Sequence, residues 1–281
     1  MTSRSDRGIF IQSNTKQLVG AKIAKHAMEV RGRAREHGIP VTIIEVEKIP
    51  AFQAFVGKPY RKGNYAAYTF EDLQSFTMTR FMPPEMMGFS GRALVIDPDI
   101  FALTDILPLI EMDLGNAAIA ACKKNPWDTS VMVLDNTKLT HWKIGLLLND
   151  IAARKRSYED IAALRDETVT IAELSREWNS LDRLDEKTKM LHTTQRLTQP
   201  WKTGLSIDFT FNPVPKLFGF IPRFWVTHPT HYQPHKNREI EKLFFEILRD
   251  ALRDRAVSVQ DVEDGIRSKD LRPDILSVIG L

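Results

Sequence analysis

The chain has 281 residues, enough to bury one large core or two small ones without disulfides or structural metals. Hydrophobic residues make up 43% and charged residues 27%, a globular balance that excludes a wholly disordered chain. With 39 basic and 36 acidic side chains the net charge is +3, too even to make nucleic acid the expected partner.

The first element is a short apolar run from Gly8 to Gln12, followed by polar Ser13-Asn14-Thr15. A helical pattern runs from about Gln17 to His37, and Gly38 is placed to end it. Residues 41–46, VTIIEV, read as a strand rich in β-branched residues. The chain thus opens strand–helix–strand, the signature of a parallel α/β sheet. Residues 50–70 are loop-like, with Gly57, Pro59, Gly63, Tyr60, Tyr65 and Tyr68. A helix is expected from Thr69, with Glu71 and Asp72 in its first turn, stopping by Pro83-Pro84. Arg92 to Ile96 is a third strand, and a helix or turn follows from Asp105. Further strands are expected over Ala117–Ala121 and Ser130–Leu134, and helices over residues 137–175 and 236–255. The stretch between these helices, residues 200–235, is proline-rich and reads as turns.

No run of about 18 apolar residues occurs, so no membrane span is expected. The N-terminal MTSRSDRGIFIQSNTKQ lacks an apolar stretch of signal-peptide length. Cys122 is the single cysteine, so no intrachain disulfide can form, and a reducing, cytoplasmic setting is the expectation. Cys122 itself reads as a small buried residue.

The most informative segment is RALVIDPDIFALTDI. A continuously apolar strand is one buried on both faces, and sheets of that kind bind ligands beyond the carboxyl ends of their strands. Asp97 and Asp99 stand at that end. Two carboxylates there make a hard, oxygen-rich site for manganese or magnesium. Asp-Pro-Asp is also ordinary turn chemistry, and the pattern alone leaves both readings open.

The longer segment TRFMPPEMMGFSGRALVIDPDIFALTDI resembles the centre of the retaining glycosyltransferases of family 8, the glycogenin and bacterial galactosyltransferase group. Arg80, Asp97, Asp99 and Asp105 match its basic residue, its D-x-D pair and the acidic residue that follows. The resemblance implies a GT-A type α/β fold, a mostly parallel Rossmann-like sheet flanked by helices, in one domain over 1–281 with a helical extension from about 203. It also implies that the D-x-D carboxylates hold Mn2+ or Mg2+ against the diphosphate of a nucleotide sugar, and that Arg80 contacts the donor.

Three further stretches extend the likeness over residues 8–202. GIFIQSNTKQLVGAKIA resembles the family's first strand and turn, which makes Gln12, Ser13, Asn14 and Gln17 nucleotide-binding candidates; many members have an aromatic residue where Gln17 falls. WDTSVMVLD resembles the Asn-Ser-Gly-Val strand entry, so Asp128 falls where the donor sugar is contacted. The W-N pair Trp178-Asn179 and the later His192 and Pro200-Trp201 resemble the closing motif, in which the histidine is the third metal ligand. That motif here lacks its glycine, has Gln199 in place of lysine and is one residue longer. Arg196 and Lys202 are the nearby bases that could serve the diphosphate instead. Asp166, in Asp166-Glu167, is the candidate for the acidic residue near the sugar, against its reading as an exposed helix carboxylate.

The implied function is transfer of a sugar, with retention, from a nucleoside-diphosphate sugar, UDP-linked by the resemblance, to an acceptor hydroxyl. The alternatives are a non-catalytic nucleotide-sugar-binding protein of the same fold, suggested by the altered closing motif and Asp128, and a nucleotidyltransferase. SNTKQLVGAK has no P-loop pattern to favour the last. His228, His231 and His235 could bind zinc by number, but Pro229 and Pro234 favour a surface loop. Met78, Met82, Met86 and Met87 read as core filler. The C-terminal segment, with mixed charges and near-helical apolar spacing, reads as a solvated helix pair, with a homodimer contact as the alternative.

Overall fold

The computed structural model describes residues 6–61, 67–209 and 228–280. Strand β1 (Arg7–Ser13) leads through a 3-10 turn into helix α1 (Leu18–Val30), then β2 (Val41–Glu45) and the short α2 (Pro50–Gln53). A 3-10 turn over Thr77–Phe81 precedes α3 (Pro83–Met86), β3 (Arg92–Ile96), β4 (Ile100–Ala102) and α4 (Leu107–Ile110). Next come β5 (Ile119–Lys123), β6 (Trp127–Asp135), α5 (Ile144–Ala152), α6 (Tyr158–Ala162) and β7 (Ile171–Glu173). Two short strands, β8 (Ser180–Leu181) and β9 (Met190–His192), are followed by α7 (Arg238–Arg253), α8 (Val259–Arg267) and α9 (Ile275–Val278).

Six strands form one sheet in the order β2-β1-β3-β6-β5-β7, and β4-β9-β8 form a second, small one. In the large sheet β1 pairs in parallel with β2 and β3, and β5 with β7. Only β6 is reversed, antiparallel to both β3 and β5. The sheet is therefore mixed but mostly parallel, as expected. Side chains alternate between its faces. Ile9, Ile11, Leu94 and Ile96 enter a core shared with α1 and α7, while Phe10, Ala93 and Val95 enter a second core with Phe76, Phe81 and Trp142. This two-sided burial is why β3 reads as an unbroken apolar run. Met78, Met82 and Met87 are buried in the second core, and Met86 packs against it. Cys122 is buried, and burial pushes its thiol up to about 11.

Several boundaries differ from the expectations. Helix α1 stops at Val30 rather than near His37, because Arg33 takes a positive φ of 56°. A side chain on Gly32 would also meet the Met28 carbonyl at 2.6 Å. The helix expected from Thr69 does not form. The Asn14 amide donates to the carbonyls of Asp72 and Leu73 and to the Ser75 hydroxyl, and these tertiary bonds hold residues 72–75 as turns. Pro83-Pro84 opens α3 instead of closing a helix, a position where the missing N–H costs nothing. Residues 137–175 split into α5 and α6, each followed by a positive-φ residue (Arg154 and Leu164), and Ile171–Glu173 fill the sheet edge beside β5. Gly63 and Tyr65 lie outside the described residues, as does much of the proline-rich stretch. Tyr60 and Tyr68 are buried and stacked edge to face.

The C-terminal helices are not a solvated pair. Phe244, Ile247, Leu248 and Ala251 of α7 and Val262 of α8 join the core under α1. Arg31 bonds Glu246 at 2.7 Å, and Lys22 bonds Asp261 at 2.6 Å, so α7 and α8 are tied to α1 by charge as well. The apolar spacing there serves this intramolecular face. Among the described residues no helix is long and apolar enough to cross a membrane.

Candidate active site

β3 delivers Asp97 and Asp99 to its carboxyl end. The chain then folds into β4, which pairs antiparallel with β9 so that Ile100 faces His192. The Asp99 carbonyl accepts from both the backbone N–H and the hydroxyl of Thr193, at 3.1 Å each. This register sets His192 beside Asp99, with Nε2 3.4 Å from Oδ1. One ligand atom each from Asp97, Asp99 and His192 lies within 4.8 Å of the other two. Among the described residues this is the group whose donor atoms converge in that way; His228, His231 and His235 form none. His235 instead bonds the Asn237 carbonyl at 2.9 Å.

Arg80 reaches the same point from the 3-10 turn. Its Nε donates to Asp97 Oδ1 at 2.9 Å and its Nη2 to Oδ2 at 2.5 Å. Its Nη1 donates to the Thr129 hydroxyl at 2.8 Å, which in turn donates to the Ala162 carbonyl at 2.7 Å. Burial pushes the Asp97 carboxyl up, only partly offset by Arg80, with Asp99 adding to the rise. Burial works against the charge on His192, but Asp99 together with Asp97 and Asp128 outweighs it and the imidazole is raised. Arg80 pairs with Asp97 and His192 stands beside Asp99, and the two carboxylates and the imidazole together offer three donor atoms close enough to hold a metal ion.

β6 lies beside β3, with the Asp97 N–H donating to the Ser130 carbonyl at 3.1 Å. Burial disfavours the Asp128 charge, but the Ser130 hydroxyl and Lys124 more than compensate and hold the carboxyl at about 2. Asp128 Oδ1 accepts from the Ser130 hydroxyl at 2.6 Å, and Oδ2 from Arg176 at 3.3 Å. Asn179 Nδ2 donates to Ser130 Oγ at 3.0 Å, and its Oδ1 lies 2.7 Å from His192 Nδ1.

These residues line a cavity of about 540 Å³. Of the residues singled out from sequence, Gln17, Arg80, Asp97, Asp99, Asp128 and His192 line it, as do Arg196, Gln199 and Lys202 of the altered closing motif. Gln12, Ser13 and Asn14 do not. All three are fully buried, and Asn14 spends its side chain on Gln17 N–H and the 72–75 turns. Asp166 does not line it either. It sits past α6 and bonds Arg156 at 2.5 Å. Asp105 caps the start of α4 through the Leu107 N–H at 2.9 Å and bonds His37. Lys202 is buried against Asp208 at 2.5 Å, and Tyr232 donates to the same carboxylate. Arg196 stands over the Phe209 ring.

Sequence reasoning missed Lys124 and Arg165, which also line the cavity. Nothing in their local pattern marks them. Asn179 was visible as half of the W-N pair, but its contact with His192 needs the fold. The donor set itself, two carboxylates and an imidazole, fits a divalent metal ion.

A scan against protein-family models finds no match to the sequence, and a search of curated proteins finds none either. The fold does match solved structures. The glycosyltransferase GlyE of Streptococcus pneumoniae TIGR4 aligns over 89% of this chain and 64% of its own, at 12% identity and a TM-score of 0.51. The bifunctional glycosyltransferase WbbM aligns over 72% of this chain and 48% of its own, at 13% identity and a TM-score of 0.50. The chain thus spans less than two thirds of either structure. The order of the sheet, the crossover that returns β9 to the end of β3, and these alignments agree with the fold that the sequence resemblance implies: the chain has the GT-A fold of glycosyltransferases.

Proposed function

We propose that the protein is a metal-dependent glycosyltransferase that moves a sugar from a nucleoside-diphosphate sugar to an acceptor hydroxyl, with retention at the anomeric carbon. The observation that carries this reading is the convergence of Asp97, Asp99 and His192 at the end of β3, on the wall of a cavity also lined by Arg80, Arg196 and Lys202. The donor is a UDP-sugar by the resemblance described above, and the acceptor an alcohol of unspecified class.

Asp97, Asp99 and His192 hold Mn2+ or Mg2+ in this reading. A bound divalent ion neutralises charge on a diphosphate leaving group. The chain's own residues do the rest. His192 offers a neutral imidazole nitrogen. Arg80, fixed on Asp97 and Thr129, supplies a preorganised positive charge that needs no reorganisation as the sugar–oxygen bond breaks. Arg196 and Lys202 flank the diphosphate where the altered motif lacks its lysine, and Gln17 stands at the nucleoside end. Retention by front-face attack lets the leaving phosphate take the acceptor proton, so no glycosidase-like carboxylate pair is required.

A second reading, a donor-binding protein without turnover, is favoured by one observation: Asp166 bonds Arg156 and lies off the cavity. Isothermal titration with UDP, with and without Mn2+, separates these from an unrelated activity. Binding that needs Mn2+, is stripped by chelator and is lost in Asp99→Ala supports a donor site. Release of free sugar from one member of a UDP-sugar panel then supports the enzyme over the binder. No UDP binding with any divalent metal would falsify both.

A further inference from the structure

A line of four polar side chains runs from β6 to the third ligand of the metal cluster: Asp128, Ser130, Asn179 and His192. We infer that Asp128, Ser130 and Asn179 are positioning residues that fix the tautomer of His192, placing the proton on Nδ1 and leaving Nε2 bare toward Asp99. The inference rests on the metal-site reading above for its purpose, but not for its geometry.

The direction of each hydrogen bond follows from its start. An ionised carboxylate has no proton to give, so Asp128 can only accept. The Ser130 hydroxyl has one proton and spends it on Asp128 Oδ1 at 2.6 Å. The Ser130 oxygen then has only lone pairs to offer, and its neighbour must be a donor. That neighbour is the Asn179 amide nitrogen at 3.0 Å. With its nitrogen committed, Asn179 turns its carbonyl oxygen to His192 Nδ1 at 2.7 Å. The other group near Nδ1 is the same Ser130 oxygen at 3.5 Å, again a lone pair. Both ring nitrogens face acceptors, but Nδ1 has the Asn179 oxygen at 2.7 Å whereas Nε2 has one Asp99 oxygen at 3.4 Å, so the single proton of the neutral ring belongs on Nδ1 and Nε2 is left bare.

The reversed assignment is costly. Rotating the Asn179 amide would set its oxygen against the Ser130 oxygen with no proton between them. Asn179 is fully buried, and Ser130 and His192 nearly so, so water does not relieve that clash. Asp128 thus has a role beyond any contact with the donor sugar: Oδ1 accepts from Ser130 and Oδ2 from Arg176. A ligand imidazole whose second nitrogen is held in this way keeps its orientation and its basicity.

The test uses the full chain, metal-free and labelled with 15N in its histidines, at a pH alkaline enough for a neutral imidazole. Long-range proton–nitrogen correlation reads which ring nitrogen of His192 is protonated, and His192→Gln assigns the signal. The expected result is the Nδ1–H form in the wild type. Ser130→Ala should shift the ring toward Nε2–H and weaken Mn2+ binding in the presence of UDP by about tenfold. Ser130→Thr should keep both properties, since its hydroxyl can make the same bonds. An Nε2–H ring in the wild type overturns the inference, and that spectrum decides even if Ser130→Ala fails to fold. An unchanged ring and unchanged affinity in folded Ser130→Ala overturn it as well. A wild-type Nδ1–H ring in a protein that binds no Mn2+ upholds the tautomer assignment and removes the metal reading instead.

Discussion

Arg80 and Asp97 form a buried fork on a carboxylate, two parallel hydrogen bonds of 2.9 and 2.5 Å between a 3-10 turn and the end of β3. The pair is charge-neutral as it stands, yet Thr129 also draws on Arg80, and Asp99 lies against Asp97. Such a pair is worth little net when intact and costs much when halved.

Removing one partner should therefore destabilise the protein. Arg80→Met is expected to lose about 3 kcal/mol in urea unfolding, because it strands a buried carboxylate. The double variant Arg80→Met, Asp97→Leu should recover most of that loss, yet neither protein should bind UDP with Mn2+. An Arg80→Met variant as stable as the wild type would count against the buried pair.

Asp99 behaves in the opposite way. Its backbone carbonyl holds Thr193, and among the described residues the ion pair its carboxylate makes is with His192, at 3.4 Å. Asp99→Asn should change stability by no more than about 0.5 kcal/mol. Mn2+-dependent UDP binding should fall by at least about tenfold, as expected for a ligand rather than a scaffold residue. Calorimetric titration beside a urea curve on the same sample separates the two effects.

The Asn14 side chain carries four hydrogen bonds, accepting from the Gln17 N–H and donating to Asp72, Leu73 and Ser75. Asn14→Ala should cost about 2 kcal/mol, since the turn carbonyls lose a buried donor. Leu73 and Gln74 line the cavity, so UDP affinity should drop as well, although Asn14 never touches it. Unchanged affinity in a destabilised variant would show that the 72–75 turns do not shape the nucleotide end.

Asp128 gives a pH signature. Its folded carboxyl sits at about 2, below the ordinary value of 3.8. A depressed carboxyl contributes stability above its unfolded value and loses it as the pH falls through the folded one. The wild type should exceed Asp128→Asn by about 2 kcal/mol at neutral pH. That gap should close on acidification from about pH 4 toward pH 2 in a series of urea curves. A gap that widens in acid has the wrong sign and would refute the assignment.

The sequence by itself determined the local elements whose causes are local. The β-branched run of β2, the doubly buried run of β3 and the polar end at Asp97-Pro98-Asp99 follow from side-chain type and spacing. It also ordered the motifs, from Arg80 through the D-x-D pair to His192, well enough to imply the GT-A fold. What it could not determine were contacts between residues far apart in the chain. His192 reaches Asp99 only because β9 pairs with β4. Asn14 reads as a nucleotide ligand until its amide is seen holding the 72–75 turns, and those same bonds abolish the helix expected from Thr69. Asp166 reads as a site carboxylate until the end of α6 turns it to Arg156. Asp128 reads as a sugar contact, and only the fold shows that β6, β3 and the W-N turn set it on the cavity wall in line with Ser130, Asn179 and His192. A polar side chain can bond whatever the fold puts next to it, so its identity limits its chemistry and only the tertiary structure selects its partner.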